Sequence, residues 1–254
     1  MSIFMFGDFH NNARNEKVFL QIDEFPEQVN LTSDDTMIIT GDVGIIGGKY
    51  REENRNWIAS QNYTTLCVMG NHEQWNDYFE LSIEIKFGGK IRVLKTSSKD
   101  IYFTITGEVY TIEGKTFLSI NGALSIDKER LVDGISWFKE ETISNNEIDI
   151  VLDKINEING KVDYLLTHTV SSDILLYFTQ FDTTFNNTLK YKCHTSEFLS
   201  YVDEILDYKE CLFGHFHIQK SITIKGKTYS CFYMTKPKLL VDSIKILENK
   251  TLIL

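Results

Sequence analysis

Five of the six histidines in this chain, His10, His72, His168, His215 and His217, lie in the polar segments that close short apolar, β-rich runs: IFMFGDFH, TLCVMGNH, DYLLTH and ECLFGHFH. A fifth such run, TMIITGD, ends at Asp42. Short apolar runs closed by Gly, Asn, Asp or His read as buried strands that end in polar loops. Between them lie segments with helical spacing, at about 13–25, 51–60, 73–86, 145–158 and 195–207. Alternation of strand and helix demands an α/β layered core. Strand ends on one edge of such a sheet converge in space, so these separate loops can meet at one point.

Residues 91–120 follow a different pattern, with IRVLK, IYFTI, EVYTIEG and KTFLSI as short alternating runs broken by Gly and charge. They read as a strand meander. The pattern returns in SITIKGKTYSCFYM and SIKILENKTLIL, where KGK and ENK are hairpin signals. A second sheet is therefore expected. With 254 residues, two prolines and no repeat or composition shift, the chain reads as one domain over 1–254.

Lys and Arg number 26 against 36 Asp and Glu, a net charge of −10, which disfavours long duplex nucleic acid as a partner. A small phosphate ester stays compatible, because divalent cations would dominate the local field. There is no basic leader and no membrane-length apolar run, so no membrane partner and a cytoplasmic location are expected. The oligomeric state is left open. Cys67, Cys193, Cys211 and Cys231 are widely spaced without a CxxC pair and read as structural thiols.

Asp8, Asp42 and Asn71 bring oxygen donors to the nitrogen donors His10, His168, His215 and His217. Such a mixed set suits Mn, Fe or Zn, and it exceeds the four ligands of a closed structural zinc. Two divalent metal ions are expected, Mn being the leading candidate, with Asp42 as the natural bridging carboxylate.

Five motifs follow in order: DxH at Asp8 to His10, GD at Gly41–Asp42, GNHE at Gly70 to Glu73, the lone His168, and GHxH at Gly214 to His217. In them the chain resembles the calcineurin-like metallophosphoesterase superfamily. Through GGKIRVL, GEVYTIEGKTFLSINGALSIDKER and GISWFKEE it also resembles small bacterial and prophage-encoded metallophosphoesterases of unassigned substrate. The resemblance implies an α/β fold, a four-layer αββα sandwich of two mixed β-sheets flanked by helices. It implies one metal held by Asp8, His10, Asp42 and His217, and the other by Asp42, Asn71, His168 and His215. It further implies attack on a phosphomonoester or phosphodiester by a metal-bridging hydroxide, with Asp42 and Asn71 serving catalysis as ligands. His72 follows Asn71 directly and suits a general acid that protonates the leaving oxygen. The superfamily's protein phosphatases carry GDxVDRG, whereas this loop reads GDVGIIGG, and the missing Arg weighs against that substrate class.

The expected substrate is a small or nucleotide-like phosphate ester. Two alternatives stay open: a nuclease acting on single-stranded nucleic acid, and a binding module that has lost catalysis. Glu73 reads as an acidic opening to a helix. Asn121, Lys128 and Arg130 could reach substrate or could be ordinary polar residues, and Trp137 and Phe138 read as core more than as a stacking surface. His194 lies outside every motif and reads as a surface or capping-region residue rather than a ligand.

Overall fold

The computed structural model describes residues 1–8, 10, 25–47, 50–179, 188–233 and 236–242. In chain order its strands are β1 (Ser2–Phe6), β2 (Thr36–Ile39), β3 (Thr64–Cys67), β4 (Ser82–Lys86), β5 (Gly89–Leu94), β6 (Ile101–Phe103), β7 (Val109–Ile112), β8 (Lys115–Ile120), β9 (Tyr164–Thr167), β10 (Glu210–Phe213), β11 (Lys220–Ile224), β12 (Lys227–Cys231) and β13 (Lys238–Asp242). Its α-helices are α1 (Arg51–Ala59), α2 (Trp75–Glu80), α3 (Asn145–Glu157), α4 (Leu175–Thr179) and α5 (His194–Ile205). A seven-stranded sheet has the order β13-β1-β2-β3-β6-β5-β4, and a six-stranded sheet has the order β11-β12-β10-β9-β8-β7. Both are mixed.

Strand periodicity sorts the apolar residues into three buried layers. Ile3, Met5, Ile38 and Leu66 from the first sheet meet Phe117, Tyr164, Leu166 and Leu212 from the second in one cluster, the seam between the sheets. Their neighbours Phe4, Phe6, Met37, Ile39 and Cys67 face the other way and pack on Ile58 and Ala59 of α1 and Trp75 and Tyr78 of α2. On the far side Leu165, Cys211 and Phe213 pack on Val151 and Ile155 of α3, Leu175 and Phe178 of α4 and Leu199 and Val202 of α5. The result is helices, sheet, sheet, helices, as expected. Each large apolar side chain so buried contributes about 1.5–3 kcal/mol relative to exposure.

Local signals explain most boundaries. Helix α3 opens on a capping box: Ser144 Oγ accepts from Glu147 N, and Glu147 Oε2 accepts from Ser144 N at 2.9 Å. It stops before Asn159 and Gly160, both with positive φ. The expected helix over 73–86 needs correction, since it ends at Glu80 and SIEIK becomes β4. There the alternation of Ile with charge has period two, and the two-residue turn Phe87–Gly88, with φ of +55° and +83°, folds β4 back on β5. The expected meander also divides: β5 and β6 stay in the first sheet, whereas β7 and β8 begin the second. The KGK hairpin forms between β11 and β12. The expected helix at 13–25 lies almost wholly outside the described residues, as does the SIKILENKTLIL hairpin. All four cysteines are buried and free. No helix among the described residues is long and apolar enough to cross a membrane.

Candidate active site

Strands β1, β2 and β3 run parallel and adjacent in the first sheet, as do β9 and β10 in the second. Just beyond their C-terminal ends come Asp8, Asp42, Asn71, His168 and His215. The loops are tied to each other by backbone amides. His10 N donates to Asp42 O at 2.7 Å, and Gly214 N to His168 O at 3.0 Å. His72 N donates to Asp42 Oδ1 and His215 N to Asp8 Oδ1, each at 3.0 Å. Each carboxylate is thus aimed by an amide from a different loop.

The side chains converge as the strand ends predict. His10 Nε2 is 2.8 Å from His217 Nε2 and 3.6 Å from Asp42 Oδ2. On the other side of Asp42, His168 Nε2 is 3.5 Å from Oδ1 and 3.0 Å from Asn71 Oδ1. The His215 ring lies 5.1 Å from that of His168, and the His72 ring 5.3 Å from that of His10. His217 is exposed and stacks on Tyr233 at 5.0 Å. All seven candidate donors and His72 therefore gather around Asp42. His168 shows how the protein assigns nitrogens: Nδ1 is held by Thr40 O at 2.7 Å, which leaves Nε2 facing Asp42 and Asn71.

The backbone here is unusual. Asp8, His10, Asp42, His215 and His217 have φ of +46°, +47°, +50°, +72° and +52°. Left-handed backbone costs a residue with a Cβ on the order of 1 kcal/mol or more, and it persists where the surroundings enforce it. Two motif glycines let these residues approach. A Cβ on Gly70 would strike Asp42, and one on Gly41, whose φ is +107°, would run into the His168 ring. Gly41→Ala is accordingly expected to destabilise the metal-free protein by about 2 kcal/mol or more. Calorimetric melting of the two metal-free proteins checks this, and an unchanged midpoint would contradict the packing described.

Burial and mutual repulsion set the protonation states. Burial, aided by Asp42, raises the Asp8 carboxyl to about 7, and burial lowers His10 to about 4 and His215 well below its usual range. Burial also opposes charge on His168 and Asp42, but their attraction overrides it, raising His168 to about 9 and holding Asp42 well below the carboxylate range. Asp8 Oδ2 and His215 Nε2 are buried without a hydrogen-bond partner. The neutral His10 and His215 rings, the crowded carboxylates and the buried unpartnered atoms suit a divalent cation, whose binding would require His168 to give up its proton. Two groups of donors fall within ligating reach of a common point, His10 with Asp42 and His72, and Asp8 with Asp42 and His168, and both contain Asp42.

Several other readings change. Glu73 does not open a helix; α2 starts at Trp75, and the Glu73 carboxyl is buried, accepts from Val43 N at 2.5 Å and braces the loop that carries Asp42. Burial and the nearby Asp42 raise it to about 7. Asn121 is a buried brace between Met69 N and Thr104. Lys128 lies over the Trp137 ring at 3.9 Å, and Phe138 is core. Arg130 lines a pocket of about 310 Å³ together with His72, Ile126, Asp127, Glu129 and Lys190. His194 sits in the first turn of α5, with Nδ1 2.9 Å from Ile143 O. Sequence reasoning missed Ser125 and Glu141, which stand behind Asn71; an isolated Ser and Glu carry no signal of that.

Parallel strand ends from two facing sheets, loaded with His, Asp and Asn donors, define a metal-dependent hydrolase architecture. The chain belongs to the calcineurin-like phosphoesterase family, which it matches over residues 1–219. It is therefore a phosphoric ester hydrolase of a family that generally uses divalent metals. No curated protein matches it. Among solved structures it is similar to the phosphopantetheinyl hydrolase PptH of Mycobacterium tuberculosis, at 14% identity and a TM-score of 0.50, covering 94% of this chain and 95% of that one. It is also similar to a putative 5'-nucleotidase of Staphylococcus aureus crystallised with alpha-ketoglutarate, at 13% identity and a TM-score of 0.50. That match covers 92% of this chain but 49% of the other. At such identities these likenesses bear on fold.

Proposed function

We propose that the chain is a single dinuclear phosphoesterase domain hydrolysing small or nucleotide-like phosphate esters. One observation carries the dinuclear reading: the two oxygens of Asp42 face different donor groups, Oδ2 toward His10 and Oδ1 toward His168. One ion would be held by Asp8, His10, Asp42 and His217, the other by Asp42, Asn71, His168 and His215. Manganese fits this donor set, as do iron and zinc. When bound, such a pair supplies Lewis acidity toward phosphoryl oxygens and lowers the pKa of an attacking water.

The chain's own residues do the rest. Amides from the neighbouring loops fix both carboxylates, and the Thr40 carbonyl fixes the His168 ring, so the donors need little reorganisation when charge develops. His72 is exposed beside this cluster, where its imidazole can hand a proton to a departing alkoxide. The pocket shared by His72, Arg130 and Lys190 is of a size for a small ester's leaving group. Arg130 and Lys190 can each contact a phosphoryl oxygen there, with Asp127 and Glu129 balancing their charge.

Metal-reconstituted protein is expected to turn over p-nitrophenyl phosphate or its bis ester with manganese, to lose that turnover to a chelator and to regain it on readdition. The ratio between the two compounds reports monoesterase against diesterase character. Metal binding without turnover of either would sink the enzyme reading in favour of a binding module.

A further inference from the structure

The buried Asn71 has an amide whose two ends meet different surroundings. Its Oδ1 lies 3.0 Å from His168 Nε2, and its Nδ2 donates to Ser125 Oγ at 3.2 Å. An amide can turn over with almost no change of shape, exchanging an acceptor for a donor, and only the oxygen end can hold a cation. The partner on the nitrogen end therefore decides whether Asn71 serves as a ligand. Ser125 is that partner, and it is 2% exposed.

Ser125 is held in turn. Its N donates to Glu141 Oε2 at 3.0 Å, which sets that carboxyl beside the Ser125 side chain, and Glu141 Oε1 accepts from Phe138 N at 3.2 Å. Glu141 is completely buried. Burial raises the Glu141 carboxyl to about 7, yet both of its oxygens receive backbone N–H groups, and that geometry makes Glu141 an acceptor toward its neighbours. A serine hydroxyl has one proton. Once that proton points at Glu141, the hydroxyl offers Asn71 only lone pairs, which bind NH₂ and refuse a carbonyl oxygen.

Resting on the dinuclear reading above, we infer that Ser125, oriented by Glu141, is a positioning residue that locks the Asn71 amide with its oxygen toward the metal centre. A purely structural role for Glu141, closing the turn at Phe138, would leave the Ser125 hydroxyl dispensable. The two roles separate at that hydroxyl.

The test is calorimetric titration of Mn²⁺ into metal-free wild type, Ser125→Ala, Asn71→Asp and the double variant, with thermal midpoints recorded alongside. Wild type is expected to bind two ions, and Ser125→Ala to weaken one of them by about 10–100-fold while sparing the other. An aspartate presents oxygen on either face, so Ser125→Ala is expected to have no further effect in the Asn71→Asp background. Wild-type affinity at both sites of Ser125→Ala would overturn the inference. So would equal losses in both backgrounds, or a loss shared by both ions with a fallen midpoint. Wild type binding fewer than two ions would overturn the dinuclear reading and this inference with it.

Discussion

Replacing Asp42 with asparagine is expected to abolish tight binding of both metal ions and to lower turnover by on the order of 10³-fold or more, about 4 kcal/mol of transition-state stabilisation. The substitution keeps volume and one carbonyl oxygen, so the 3.0 Å acceptance from His72 N can survive. What it removes is the charge shared between the His10 and His168 sides, which lie 3.6 and 3.5 Å from opposite oxygens of one buried carboxylate. An NH₂ group must then face one of those sides, and a cation there meets a donor instead of an acceptor. Metal analysis is the first readout. The second is melting, because an ion at 100 times its Kd stabilises the folded state by about 2.7 kcal/mol, and that increment should vanish in the variant. Two ions retained at wild-type affinity would show that Asp42 is not shared between them.

The legibility of this site in the sequence follows from where its donors sit. Asp8, Asp42, Asn71, His168 and His215 each come just after a strand that is apolar on both faces, and such a strand is recognisable as a contiguous run. Parallel neighbours then force their C-terminal ends to one edge, so position along the chain translates directly into position in space. Ser125 and Glu141 carry no such mark. Ser125 reaches Asn71 across a separation of 54 residues; it follows β8, which runs parallel to β9, but a lone serine there is not a ligand signal, and Glu141 lies far from any strand end. The role of Glu73 is hidden for a related reason: acidic residues ahead of a helix usually serve the dipole, whereas this one turns inward to the Val43 amide. Strand β4 is hard to read because SIEIK is exposed along almost its whole length, so its alternation carries no burial signal and resembles a solvated helix. The missing Arg after Asp42 also takes on a structural meaning. That loop is held by Glu73 through Val43 and buries Val43, Ile45 and Ile46, leaving an apolar segment where a phosphate-contacting cation would otherwise stand.

His72→Ala is expected to lower kcat by about 10²–10⁴-fold on esters with poor leaving groups, with both ions still bound. The reasoning starts from its two ends. The backbone of His72 is committed to Asp42 Oδ1, and alanine preserves that bond, so the frame of the site should stand. The ring is exposed and borders the pocket with Arg130 and Lys190, on the side where a leaving group would depart. An alkyl or sugar alkoxide is a strong base and gains much from a proton delivered in the transition state. A p-nitrophenolate gains little, so the variant's deficit should shrink on p-nitrophenyl phosphate. That dependence on leaving group separates acid catalysis from ligation, since His72 also falls within ligating reach of His10 and Asp42. Loss of an ion together with a deficit equal across all leaving groups would make His72 a ligand and remove it from the proton-transfer step.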